Sequence, residues 1–214
     1  MQKPNHITFT GVDGRTDLSR LVALSDHYPC EWGVLLSRNR QGLDNRYPTS
    51  AVIDSILGLN VTRAAHICGK LAQEIMVGQY SGNMPLSDFS RVQVNHTTPD
   101  VEILTLLSEQ INRPVIAQWR DPKFFSDEPC GISWLYDASG GRGSRPRTWP
   151  TNYLADRIVG YAGGIRPDNA SEINSIVSPK SPSGYWLDME TGVRTNDWFD
   201  LNKIETILVS IYDS

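Results

Sequence analysis

Eight short β-rich runs alternate with helix-like stretches from one end of this chain to the other, and that alternation limits it to a parallel-strand architecture. The runs are Ile7–Thr10, Glu31–Leu36, Arg63–Cys68, Arg91–Asn95, Pro114–Trp119, Ile132–Asp137, Ile158–Ala162 and Tyr185–Asp188. Between them lie amphipathic stretches with inward apolar positions: Leu18, Leu21 and Val22 behind a Thr16 cap, Val52, Ile53 and Ile56 after Thr49-Ser50, and a run with Leu71, Ile75 and Met76. Further stretches start at Pro99 and Pro167, a short one lies near Tyr153–Arg157, and the last carries Leu201, Ile204, Ile207, Leu208 and Ile211. Spacing of this kind repeats on one helix face. The fifth connection, Arg120–Pro129, has almost no helical signal.

Eight such units in 214 residues predict a single (β/α)8 barrel over residues 1–214. It is small against the usual length of about 250, and its fifth helix is reduced. The rival is a doubly wound sheet, which carries a glycine-rich nucleotide turn between a strand and a helix; no GxGxxG stands at such a place. The Pro146–Pro150 and Pro179–Pro182 stretches sit inside units and read as stiff loops.

The net charge of −4, from 20 basic and 24 acidic residues, argues against nucleic acid as a partner. No apolar run approaches the roughly 20 residues that cross a bilayer, and the first residues lack a signal-peptide core. Cys30, Cys68 and Cys130 are odd in number and without CxxC spacing, so neither a disulfide framework nor a zinc site is expected. The expectation is a cytoplasmic protein, monomer or homodimer, with a small molecule as its partner.

In a barrel the functional face is built by the loops after the strands, and three of these carry unusual residues. Asp137 ends an apolar run and is followed by Gly140, Gly141 and Gly143. It reads either as a proton donor with a raised pKa or as a loop cap accepting backbone hydrogen bonds. Gly163-Gly164 follows the seventh strand, and Asp188-Met189-Glu190-Thr191-Gly192-Val193-Arg194 follows the eighth, where barrels hold phosphate. Arg142, Arg145 and Arg147 form a basic loop beside Asp137, a solvated run or an anion guide. The six tryptophans are spread along the chain and read as packing groups rather than one aromatic cage.

These residues carry a resemblance that runs nearly end to end. Phe9-Thr10-Gly11-Val12 stands where phosphoribosylanthranilate isomerases have Ile-Cys-Gly-Ile. Arg46-Tyr47, Val92-Gln93-Val94-Asn95, Asp137 with Gly140–Gly143, Gly163–Asn169 and Asp188–Val193 are similar to further motifs of that family, in order. The resemblance implies an Amadori rearrangement of a phosphoribosyl-amine into a 1-deoxyketose, with no metal or organic cofactor. It makes Asp137 the acid that opens the ribose ring and Arg46 the clamp on an aromatic carboxylate. It makes Gly163, Gly164 and Gly192 donors of backbone amides to the phosphate.

The chain departs from the pattern at the base. Thr10 replaces the first-strand cysteine, and a threonine hydroxyl needs an activating neighbour to act as a base. Glu190 and Thr191 replace two serines near the phosphate loop, and Arg194 replaces a glutamate, so Arg194 is a candidate partner of Glu190. His66 and Cys68 lie two apart on one strand and share a face, which allows a thiolate pair or a buried thiol beside a core histidine. Asp13 in the first loop is a second candidate base or a turn residue, and His96 is a loop histidine near the same mouth. The resulting expectation is an isomerase acting on a small anionic sugar-derived substrate. The alternatives are a ligand-binding barrel without proton-transfer chemistry and a lyase or epimerase on the same scaffold.

Overall fold

The computed structural model describes residues 2–80, 84–126, 131–153 and 157–213. Eight strands pair in parallel and in chain order: β1 (His6–Thr10), β2 (Cys30–Leu36), β3 (Arg63–Ile67), β4 (Arg91–Val94), β5 (Val115–Trp119), β6 (Ile132–Tyr136), β7 (Val159–Ala162) and β8 (Tyr185–Met189). β8 returns to β1 in the register His6 opposite Trp186 and Phe9 opposite Met189, which closes the barrel and leaves no open edge. Among the described residues six α-helices surround it: α1 (Leu18–His27), α2 (Ser50–Leu57), α3 (Lys70–Met76), α4 (Val101–Ile111), α5 (Ala170–Val177) and α6 (Leu201–Tyr212). A two-stranded hairpin, β9 (Arg194–Thr195) with β10 (Trp198–Phe199), precedes α6. No helix among the described residues is long and apolar enough to cross a membrane.

Each strand lies within one or two residues of its expected run, and the helix starts shift slightly. Asp17, not Thr16, caps α1, because its carboxylate accepts the amides of Ser19 and Arg20 at once. Thr16 instead turns back to Asp13. Thr49 caps α2 as expected. Asp100 and Asn169, rather than Pro99 and Pro167, occupy the cap positions of α4 and α5, so the prolines lie outside both helices. The fifth connection has no helix among its described residues, and neither has the sixth, where Pro146 and Pro150 interrupt the chain. Residues 154–156 of the short helix expected near Tyr153–Arg157 lie outside the described residues, as does Cys130.

The main core lies between strands and helices. Phe9, Trp32, Val34 and Ile67 on the strands' outer faces meet Leu21, Ile56, Leu104 and Ile204 from the helices. Trp32 packs between Phe9 and Phe199, with ring centroids 5.8 and 6.2 Å away. The barrel interior is different: its apolar cluster is only Ile116, Leu135, Ala162 and Trp186. Alternation along the strands places polar side chains in most of the rest of the lumen, beside the inward Leu35 and Ala64.

At the floor Glu31 accepts from Arg91 Nε at 2.8 Å and from Thr8 Oγ1 at 2.9 Å. Arg91 lies over the Trp186 ring at 4.5 Å, and His6 stacks on the same ring. Burial pushes the Glu31 carboxyl up, and the charge and hydrogen bonds of Arg91 more than offset it, holding Glu31 below its ordinary value.

Trp186 fits because β7 is bare beside it. A Cβ on Gly160 would stand 2.4 Å from the indole Cε2 and 2.5 Å from Leu135 Cδ1. Gly160→Ala is therefore expected to destabilise the barrel by about 1–3 kcal/mol, seen as a lower urea midpoint. An unchanged midpoint would mean that the floor is not close-packed.

Candidate functional site

The C-terminal ends of the strands open onto a cavity of about 60 Å³. Thr10 of β1, His66 of β3, Asp188 of β8 and Asp137, which follows β6, meet on its wall. Thr10 Oγ1 donates to Asp188 Oδ1 at 2.9 Å and lies 3.4 Å from His66 Nε2. The three side chains approach so closely because β2 presents Gly33 there, where a Cβ would come within 2.5 Å of Thr10 Oγ1. His66 is kept neutral by burial, its pKa lowered to about 4. Burial also acts on Asp188 and outweighs the Thr10 hydrogen bond, lifting the carboxyl to about 8. At neutral pH this group is a carboxylic acid with a proton to give.

Asp137 is held differently. Its Oδ1 accepts from Ser139 N at 3.0 Å and Ser139 Oγ at 2.8 Å, and its Oδ2 from Gly141 N at 2.6 Å. Gly140 and Gly141 have φ of +62° and +85°, so the glycines let the loop curl around the carboxylate. A carboxylate has about four acceptor positions, and these three bonds leave one for a ligand. Asp137 thus makes the backbone hydrogen bonds of the loop-cap reading, and it also lines the cavity.

Gly163, Gly164, Thr191 and Gly192 line the same cavity. The two loops touch backbone to backbone: a Cβ on Gly192 would lie 1.9 Å from the Ile165 carbonyl oxygen. Glu190 is paired with Arg46, at 2.7 Å from its Nη1, while Arg46 Nε also binds Asp197 at 2.8 Å. Burial raises the Glu190 carboxyl, against the pull of Arg46. The partner of Glu190 is therefore Arg46 and not Arg194.

Arg194 is buried and turned the other way, donating to Asp13 Oδ2 at 2.9 Å and to the Gly11 carbonyl at 2.7 Å. Asp13 also accepts from Phe199 N, Arg15 N and Thr16 Oγ1. Its oxygens thus serve the first loop and the hairpin, away from the cavity wall.

His66 and Cys68 share a strand face without pairing. The His66 ring meets Thr10, whereas Cys68 Sγ accepts from Asn95 Nδ2 at 3.2 Å. Burial raises the thiol's pKa, which disfavours a thiolate. His96 folds back on Thr98. Among the described residues no cluster of His, Cys, Asp and Glu could hold a metal ion.

A second basin of about 390 Å³ adjoins the cavity and shares Asn95, Gln118, Gly141 and Glu190 with it. Arg40, Arg46, Arg120 and Cys68 line this basin. The sequence places Asp188 in a loop motif without assigning it a role, and it marks none of Gln93, Gln118, Arg40 and Arg120 as site residues. The strand period did hold a signal. Asp188 is two residues from the inward Trp186, so the alternation of β8 places its carboxyl in the lumen as well.

Solved structures with the same fold include phosphoribosylanthranilate isomerases. The enzyme from Thermotoga maritima is 14% identical, covers 98% of this chain and 99% of its own, and superposes with a TM-score of 0.63. That from Thermococcus kodakaraensis is 14% identical over 100% of both chains, also at 0.63. A phosphoribosylanthranilate isomerase in complex with reduced 1-(o-carboxyphenylamino)-1-deoxyribulose 5-phosphate is 14% identical over 98% and 99%, at 0.60. At this identity the likeness establishes the barrel fold. No protein-family model matches the chain, and no curated protein matches it in sequence.

Proposed function

We propose that this barrel is an acid–base isomerase that converts an aldose conjugate into its ketose, acting on a small anionic sugar-derived substrate. The observation that carries the reading is that Asp137 and Asp188 line one cavity with different hydrogen bonding. Asp137 is surrounded by donors, and Asp188 is buried with a proton at neutral pH. Two carboxyl groups with divergent environments divide acid and base work between them.

Asp188, supported by Thr10, gives its proton to the sugar ring oxygen. The C1–O bond breaks as the lone pair of the conjugate nitrogen forms a C=N bond. Asp137 then takes the proton from C2, the C2–H electrons form a C1=C2 bond as the C=N pair returns to nitrogen, and the resulting enaminol gains a proton at C1 and loses its hydroxyl proton to give the 1-deoxyketose. Thr10 thus serves as a hydrogen-bond support to the acid and needs no thiolate chemistry. The resemblance in sequence places the acid at Asp137; the hydrogen bonding favours the exchanged assignment.

The test is incubation of the protein with ribosyl conjugates of anthranilate, with and without the 5-phosphate, while the deoxyketose carbon is followed by ¹³C NMR. Conversion of one conjugate is expected, with a loss of about 10²-fold or more in Asp137→Asn. No conversion of either conjugate, or full activity in Asp137→Asn, would defeat the proposal.

A further inference from the structure

The inner cavity and the outer basin differ in sign. Asp137, Asp188 and Glu190 line the cavity, and no lysine or arginine does so among the described residues. A phosphate against Gly163, Gly164 and Gly192 would gain backbone amides but find no lysine or arginine on the cavity wall, and it would face Asp137, since Asp188 carries a proton and Glu190 is paired with Arg46. The nearby arginines are engaged elsewhere: Arg145 with Glu172 at 2.8 Å, and Arg166 with Asp168 at 2.6 Å. The sixth loop also lies directly over the diglycine. A Cβ on Gly164 would stand 2.6 Å from the Arg145 amide nitrogen, and one on Gly163 would stand 3.0 Å from the Ser144 carbonyl oxygen.

The outer basin holds the opposite charge. Arg40 is tied to Asp44 and stacked on Tyr47, with 4.3 Å to the ring centroid. Arg46 is tied to Glu190 and Asp197. Arg120, just past the end of β5, has no hydrogen bond or ion pair among the described residues. Its guanidinium lies along the bare backbone of Gly140, where a Cβ would come within 2.7 Å of Nη2. Gly140 and Gly141 belong to the loop that holds Asp137, so a group bound at Arg120 sits beside the reacting centre.

We infer that the substrate's anionic group is a carboxylate docked on Arg120 in the outer basin, and that its uncharged hydroxylated end enters the cavity lined by Asp137, Asp188 and Gly163, Gly164 and Gly192. The planar fork of a free guanidinium matches a carboxylate with two parallel hydrogen bonds. This assignment rests on the isomerase reading and names its substrate class: a polyhydroxylated carboxylate without a phosphate at the glycine loops.

The experiment is an amide NMR titration of the ¹⁵N-labelled chain with benzoate and with inorganic phosphate, at constant ionic strength. Benzoate is expected to shift the Gly140 and Gly141 amides to saturation. Arg120→Gln is expected to weaken benzoate binding tenfold or more, while Arg142→Gln, an exposed charge control, leaves it unchanged. Phosphate is expected to leave the Gly163, Gly164 and Gly192 amides in place. The inference is overturned by saturable phosphate shifts at those three glycines, by absence of benzoate binding, or by benzoate affinity that ignores Arg120→Gln or falls equally in Arg142→Gln. The reaction itself is read separately. A chain that binds benzoate through Arg120 and converts no conjugate loses the isomerase reading and keeps the subsite. One that converts a conjugate with an unchanged KM in Arg120→Gln loses the subsite and keeps the reaction.

Discussion

Asp188→Asn is expected to make the protein more stable at alkaline pH and, in the same substitution, to remove about 10²–10⁴-fold of its turnover. Both effects come from one buried carboxyl group. Its pKa is raised to about 8, chiefly by burial, so the folded state binds a proton that the unfolded state has already released. Stability therefore falls as pH rises from the ordinary aspartate value, and the loss is complete once pH passes about 8. The full loss is on the order of 5 kcal/mol. Asparagine keeps an acceptor for Thr10 and cannot ionise, so the variant escapes this loss. Urea unfolding at pH 5 and pH 9 measures it: the wild type should weaken between the two far more than Asp188→Asn. Parallel curves for the two proteins would show that Asp188 is ionised in both states and is no proton donor.

The largest purely structural effect is expected at the floor. Arg91→Ala leaves the Glu31 carboxylate buried at 1% exposure without its guanidinium. Breaking a buried pair from one side costs about 3–5 kcal/mol, because the remaining charge stays desolvated. The loss of the Arg91 face over Trp186 adds to this. Pairing Arg91→Met with Glu31→Leu should recover most of the stability, since two apolar side chains replace two charges. Equilibrium urea unfolding of the two variants checks the claim. A double variant no more stable than Arg91→Ala would show that the pair stabilises beyond its charge balance.

The scaffold was legible because the elements announce themselves locally. Runs such as Val115–Ala117 and Val159–Ala162 are buried on both faces and read as continuous apolar strands, and Thr49 marks its helix by a side-chain hydrogen bond that the residue type suggests. Contacts across the barrel were not legible. Glu31 and Arg91 open their strands and look like polar boundaries, yet they bond across 60 positions of sequence inside the lumen. The partner of Glu190 was sought four residues away at Arg194 and lies 144 positions away at Arg46. A short-range view cannot separate these choices, because ring closure brings the second and eighth loops together. Thr10 shows the middle case. Its place on the first strand was readable, and its partner Asp188 was visible only once β8 had paired with β1.

The account depends most on the proton that Asp188 carries at neutral pH. Its carboxyl carbon, labelled with ¹³C and assigned by comparison with Asp188→Asn, reports that proton directly in an NMR pH titration. A midpoint near 8 is the predicted result. A midpoint in the ordinary aspartate range of about 4 would contradict it, leaving the cavity with an ionised Asp188 and no acid to open the sugar ring.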